Sequence, residues 1–232
     1  MSKVLVTRTL VLEIMTTLTE TAGRKHAICQ LQSIDLDDQN QLQRLQSQRK
    51  ACGWYYEDDH LGRWREAAVA GTKCLFWIMA SPSTTDQSAA IAGHISLDSI
   101  SEYEDPKHEL ARPDKSLLTI STFFVLPEFQ GQGLGGQAMR QAENLAREEP
   151  YGHPRCSAIG IMSLSCQYAE DPILRARFIE WTGKTPSSYE RWYARMGYVK
   201  WKEEACRKII VPGGESLMLV EAFMKKSLTD VA

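Results

Sequence analysis

At 232 residues, 43% of them hydrophobic and 24% charged, the chain has the composition of a globular protein able to bury a sizeable core. A net charge of −2 with no basic run argues against a nucleic-acid or anionic-membrane binder. Six cysteines without a C-x-x-C pair and five histidines at no metal-ligand spacing point to reduced thiols and no metal site. With no convincing leader or spanning segment, a cytoplasmic location is expected.

In chain order, residues 1–23 read as an added arm or strand, rich in Thr and β-branched residues. Residues 24–232 read as one domain. Arg24 to Ile34 alternates as a first strand, and Asp35 to Ala51 places Leu36, Leu42 and Leu45 at helical spacing behind a cap near Asp35 or Asp37. A break at Gly53 to Asp59 precedes a second helix over His60 to Ala70. Lys73 to Ala80 and Ala89 to Ile100 are strands joined by a polar loop, and a second loop runs from Glu102 to Lys115.

The stretch from Leu117 to Glu149 organises the rest. Residues 118–126 alternate as one strand, with Leu118, Ile120, Thr122, Phe124 and Leu126 on one face. Pro127 ends it, and Gln130-Gly131-Gln132-Gly133-Leu134-Gly135-Gly136 follows. From Leu134 the apolar residues change to helical spacing through Ala138, Met139, Ala142, Leu145 and Ala146. A glycine-rich turn opening a helix presents bare backbone N–H groups, which suit a pyrophosphate. Gly131-x-Gly133-x-x-Gly136 also matches a dinucleotide fingerprint. That reading wants an acid at a strand end about 20 residues on, where this chain has only Glu148 and Glu149 at the helix end.

Cys156 to Leu164 is a buried strand, and Asp171-Pro172 starts an extra helix that ends near Gly183. Thr185 and Pro186 suit the start of another helix, which carries Tyr189, Trp192, Tyr193 and Met196 to Gly197. Packing is the better explanation for Tyr189 and Trp192. Tyr198 to Val211 and Ser216 to Lys225 close the chain as two strands about Pro212-Gly213-Gly214.

The Gln130-x-x-Gly133-x-Gly135 turn, together with the run Tyr193-x-x-x-Gly197-Tyr198, resembles the two signatures of the GNAT superfamily of N-acyltransferases. The resemblance covers about residues 24 to 226. It implies an α/β fold with a mixed, mostly antiparallel central sheet flanked by helices. It also implies acetyl-CoA as cofactor, with its pyrophosphate on Gln130 to Gly136 and its pantetheine along the backbone of Phe123, Phe124 and Val125 beside a splayed strand. Tyr193 would be the acid that protonates the departing thiolate. Histone-type members place a glutamate eleven residues before the loop glutamine; here that position is Thr119. Thr119 and Ser121 are then candidates to hold a water relaying the proton to Asp98, Glu102 or Glu104, with His94 another candidate, and the base stays unassigned. Trp54, Tyr55 and Tyr56 would wall the acceptor groove, and with the carboxylates beside them would suit a cationic amine. The family pattern also expects an asparagine seven residues before the tyrosine, where this chain has Pro186.

The expected activity is direct attack of a primary amine, from a small molecule or a peptide, on acetyl-CoA in a ternary complex. The alternative is a non-catalytic acyl-CoA-binding or regulatory protein. The insertion at about 166–184 reads as a lid over the acceptor, with the structural alternative that it only covers a sheet edge or forms a homodimer contact.

Overall fold

The computed structural model describes residues 27–82, 89–101, 109–210, 214 and 216–229. The arm read over 1–23, the candidates Glu102 and Glu104, and the turn residues Pro212 and Gly213 lie outside the described residues. The elements are β1 (Ile28–Ser33), α1 (Gln39–Cys52), α2 (Asp58–Val69), β2 (Lys73–Ser81), β3 (Ala90–Asp98), β4 (Leu117–Thr119) and β5 (Phe123–Val125). After a single 3₁₀ turn (Pro127–Phe129) come α3 (Leu134–Leu145), β6 (Ala158–Leu164), α4 (Gln167–Glu170), α5 (Pro172–Thr182), α6 (Tyr189–Arg195), β7 (Val199–Ile210) and β8 (Ser216–Ser227).

The strands form one eight-stranded sheet in the order β1-β2-β3-β4-β6-β8-β7, with β5 paired to β3. Every pairing is antiparallel except β4 with β6. Alternation along the strands sends one set of side chains to each face. On one face Ile95, Leu118, Ile120, Ile159 and Ile161 pack against Leu134, Ala138, Met139 and Ala142 of α3 and against Tyr193 of α6. On the other, Leu75 and Trp77 meet Leu45, Leu61 and Trp64 of the first two helices. Each buried Leu, Ile or Met side chain among these contributes about 1.5–3 kcal/mol by leaving water.

The expected first helix starts slightly later than Asp35. Asp38 is its cap, with its side chain accepting from the N–H groups of Asn40 and Gln41. Two glutamines of α3 also do backbone work. Gln137 accepts from Cys29 N–H at 3.1 Å and donates to Ala27 C=O at 2.9 Å, while Gln141 accepts from Leu31 N–H at 3.0 Å and donates to Cys29 C=O at 2.8 Å. One turn apart on the helix, they line the outer edge of β1.

The main departure from expectation is in the central strand, which is two strands rather than one. β4 pairs with β6 only as far as Thr119 opposite Gly160, and Ile120 makes the last bond, N–H to Gly160 C=O at 3.1 Å. The chain then leaves β6, and β5 pairs with β3 alone. Gly93 permits this: a Cβ there would lie 2.1 Å from the Phe124 carbonyl oxygen.

The insertion is the short α4 and the longer α5. Asp171 caps α5 through the N–H groups of Ile173 and Leu174, and Pro172 holds its first turn. Tyr168 and Phe178 pack on Leu219 of β8, and the Tyr168 hydroxyl accepts the Val220 N–H at 3.0 Å. The insertion therefore lies against the face of the sheet, not along an edge.

Candidate active site

Where β5 parts from β6, a groove of about 720 Å³ opens between them. Its near wall is the backbone from Ile120 to Val125 and its far wall is Met162, Ser163 and Leu164. Ser96 N–H bonds to Thr122 C=O and Leu126 N–H bonds to Ala92 C=O, each at 2.8 Å, so the even-numbered residues turn their backbone groups to β3. By the antiparallel alternation, Phe123 and Val125 turn theirs to the groove. The Val125 carbonyl confirms this side: it accepts the Gln130 side-chain amide at 2.8 Å. Among the described residues this edge of β5 pairs with no other strand, and it faces a cavity inside the sheet.

The glycine turn lies at the same groove. Gly131 and Gly133 have φ of 75° and 79°, a left-handed conformation that side chains resist. Gly133 begins α3 without any side-chain cap, and the first helical bond is Gln137 N–H to Gly133 C=O. The N–H groups of Leu134, Gly135 and Gly136 consequently have no partner among the described residues. A Cβ on Gly131 would meet nothing within 4 Å, so the space before these donors is open. Gly135 is a close-packing glycine, since a Cβ there would lie 3.3 Å from the Phe123 ring and 3.6 Å from Trp192. Of the expected seat, Gln130, Gly131, Gly133, Leu134, Gly135 and Gly136 line the groove. Gln132 does not; its amide is bound to the Glu128 carbonyl at 3.0 Å. Gln130 lines it while spending its side chain on Val125, so it shapes the loop.

Tyr193 is buried in the groove wall, edge-on to Trp192 with ring centroids 5.0 Å apart. Its hydroxyl has no partner among the described residues, and burial pushes its acidity well below that of a free phenol. The group is protonated at any physiological pH and has a proton to donate. Gly197, at φ 92°, ends the helix as expected. The start of α6 differs from expectation: Ser188, not Thr185, precedes its first residue, and Thr185 and Pro186 lie in the loop that lines the groove. Tyr189 is 56% exposed at the groove, so it is not core. Trp192 does pack, stacked on Phe123 at 5.8 Å.

The candidates for proton handling separate. Thr119 is buried and donates its hydroxyl to Gly160 C=O at 2.9 Å; it does not line the groove. Ser121 lines it, and its hydroxyl donates to Asp98, which sits opposite Thr119 in register and pairs with Lys73 at 2.7 Å. His94 is wholly buried, with Nδ1 2.7 Å from Gln48 Oε1 and Nε2 3.3 Å from Arg49. The amide oxygen accepts from Nδ1, which leaves Nε2 as the acceptor for Arg49. Burial first, then Arg49 and Lys73, hold the ring well below its usual pKa. Its nitrogens are committed to structure.

The aromatic wall expected to meet an acceptor differs from expectation in charge. Trp54 and Tyr55 line the groove, while Tyr56 does not and is 39% exposed. Both lining rings are covered by the protein's own cations. Lys184 Nζ sits 4.8 Å and the Arg207 guanidinium 5.2 Å from the Trp54 centroid, and Arg49 lies 5.8 Å from that of Tyr55. The carboxylates Glu57, Asp58 and Asp59 lie at the start of α2, outside the groove. The acid in the lining is one that sequence reasoning passed over, Glu221 of β8. Its signal was visible: Glu221 interrupts the apolar alternation Leu219, Glu221, Phe223 on a strand face turned inward.

A sheet parted beside a glycine-opened helix, with a buried tyrosine at the parting, defines the acyl-CoA N-acyltransferase class of fold. Residues 38–163 match the model of the acetyltransferase (GNAT) family, and the chain belongs to that family. Among solved structures, Arabidopsis thaliana NAA60 in complex with acetyl-CoA is similar at 14% identity, with a TM-score of 0.55 over 88% of this chain and 100% of that one. An aminoglycoside 6′-N-acetyltransferase complexed with coenzyme A is similar at 11% identity, TM-score 0.53, over 88% and 99%. A spermidine N-acetyltransferase SpeG chimera from Vibrio cholerae and hSSAT is similar at 12% identity, TM-score 0.53, over 87% and 96%. At these identities the likeness is one of fold. No curated protein matches the chain by sequence. The family's cofactor is acetyl-CoA, and the open glycine turn with its unbonded N–H groups fits a pyrophosphate.

Among the described residues no group of three metal-ligating side chains occurs, no helix is long and apolar enough to cross a membrane, and all six cysteines are free.

Proposed function

We propose that the protein transfers the acetyl group of acetyl-CoA to a primary amine, on a small molecule or a peptide, by direct attack within a ternary complex. One observation carries this reading: the unpaired edge of β5, the unbonded N–H groups of α3 and the Tyr193 hydroxyl all face one groove.

When bound, acetyl-CoA supplies a thioester carbonyl carbon for the amine to attack. The N–H groups of Leu134, Gly135 and Gly136 would hold the pyrophosphate; at about 1.5–3 kcal/mol for each charge-assisted bond, they would supply a large share of micromolar affinity. The groove-facing N–H groups of Phe123 and Val125 would pair with pantetheine amides or polarise the thioester oxygen, already oriented by the strand they belong to. Tyr193 would donate its proton to the departing sulfur. Ser121, bonded to Asp98, would orient the amine or a water beside it.

Release of free thiol from acetyl-CoA across a panel of amines tests this reading. Time-dependent thiol matched by acetylated amine is the expected result. Tight acetyl-CoA binding without thiol from any amine would favour the non-catalytic binding protein instead.

A further inference from the structure

Glu221 is 0% exposed, yet it stands in the groove wall among groups that the chemistry above does not use. It follows from the register that it lies beside Leu164, four residues past the Gly160 pairing where β4 ends its contact with β6. Alternation puts it on the same sheet face as Leu219 and Phe223, the face that carries the insertion. One oxygen, Oε1, is bound by Arg207 Nε. The other, Oε2, is shielded from solvent and has no hydrogen-bond partner among the described residues. A buried carboxylate oxygen left without a donor is costly, and such groups mark places where a ligand donor is expected. Desolvation raises the Glu221 carboxyl above the usual range despite Arg207, which brings its basicity closer to that of a useful proton acceptor.

The charges around it set what can approach. Among the described residues the groove is lined by Arg49, Lys184, Arg195 and Arg207 against one carboxylate, Glu221. The aromatic faces of Trp54 and Tyr55 are taken by those same cations and are not available as a cage for another. A polycationic acceptor would meet like charge; one that carries an acid beside its amine would be matched at both ends.

We infer that Glu221 receives the acceptor's amino group through Oε2 and takes its proton, and that Lys184 and Arg49 select an amine bearing a carboxylate or similar acid, in the manner of an amino acid. This rests on the transferase reading above. The Glu221 carboxylate takes one proton from the ammonium, leaving a neutral amine. The nitrogen lone pair forms the C–N bond as the C–S bond breaks. The second nitrogen proton leaves to water as the amide forms; the thiolate gains a proton from Tyr193, which takes one back from water, and Glu221 returns its own to solvent, so one proton is released per turnover.

The test is kinetic, on the whole protein, with α-amino acids each set against the amine lacking its carboxylate, and with spermidine. The expected result is a kcat/KM at least tenfold higher for the acid-bearing member of each pair. Lys184→Glu, at an exposed position, should abolish that preference without changing acetyl-CoA affinity. Glu221→Gln should lower kcat at least thirtyfold with acetyl-CoA affinity near wild type, and should lower the melting temperature because Arg207 keeps only a neutral partner. Equal or better turnover of the plain amines or spermidine, together with wild-type kcat in Glu221→Gln, overturns this inference and leaves the transferase reading standing. Thiol release from no amine at all, with acetyl-CoA bound, overturns both. Should Glu221→Gln fail to fold, Lys184→Glu alone decides: an unchanged preference overturns the inference.

Discussion

The Glu190 carboxylate accepts the backbone N–H of Cys166 at 2.7 Å, and so joins the helix of Tyr193 to the end of the strand across the groove. Its other oxygen meets Lys200 of β7 at 2.9 Å. The groove's far wall and its tyrosine are thus tied to each other by one side chain.

That tie sets a pH dependence. Burial opposes ionisation of Glu190, but the Cys166 N–H and the Lys200 ammonium more than offset it and hold the carboxyl below its ordinary value of 4.5. A depressed carboxyl stabilises the fold above its unfolded pKa and loses that contribution as pH falls through the folded value. Glu190→Gln should therefore cost about 1.5–3 kcal/mol at pH 7. In urea titrations the gap to wild type should narrow steadily below pH 4.5. A gap that stays constant down to pH 3 would contradict this.

Gly133→Glu should lower acetyl-CoA affinity at least tenfold, about 1.4 kcal/mol or more, by calorimetry. The left-handed φ of 79° adds strain for any side chain, of about 1–2 kcal/mol. Gly133→Ala is therefore the control, sharing the strain without the charge. Equal losses in the two variants would assign the effect to the backbone.

Tyr193→Phe should reduce kcat about 10²-fold with acetyl-CoA affinity little changed. Because the hydroxyl has no protein partner among the described residues, its removal should cost almost no stability. A large fall in melting temperature would mean that the tyrosine is structural.

Asp98→Asn breaks the buried ion pair with Lys73, and should cost about 3–5 kcal/mol. Ser121→Ala keeps that pair and removes only the hydroxyl, so chemical denaturation should show a loss of about 1 kcal/mol. If Glu221 rather than Ser121 handles the acceptor's proton, kcat in Ser121→Ala should stay within about threefold of wild type.

Phe178→Ala tests the insertion. Phe178 is buried against Tyr168 and the Leu219 cluster while also lining the groove. A loss of about 3–5 kcal/mol is expected from the cavity, measured by urea unfolding. A loss below 1 kcal/mol would mean that α5 sits loosely, as a free lid would.

What the sequence disclosed and what it hid follow from the same physics. The turn at Gly131 and Gly133 and the stripe from Leu134 to Ala146 were legible because both are local: a left-handed turn needs glycine, and a helix buries a 3.6-residue stripe. The break after Thr119 was not, because alternation reports which face a residue takes and not which neighbour its backbone pairs with. Residues 120–122 keep the strand's face-to-face alternation across the break, and the feature that enables it, Gly93, lies on another strand. The charge around the expected acceptor wall was hidden for a related reason. Trp54 and Tyr55 were legible as groove residues, but the cations covering them come from positions 184 and 207. Glu221 was overlooked because a lone acid in a closing strand reads as a solvated residue until the face it occupies is known.

The glutamine pair on α3 has a consequence for assembly. An edge strand with free backbone groups is a template on which another chain can build a sheet. Gln137 and Gln141 fill the outer bonding positions of β1 from Ala27 to Leu31, so a neighbouring molecule finds no row of open partners there. The helix that opens onto the proposed cofactor seat is also the guard of that edge. Replacing both glutamines with leucine would keep the helix and expose the edge, and the resulting defect would be association between molecules, seen as concentration-dependent light scattering.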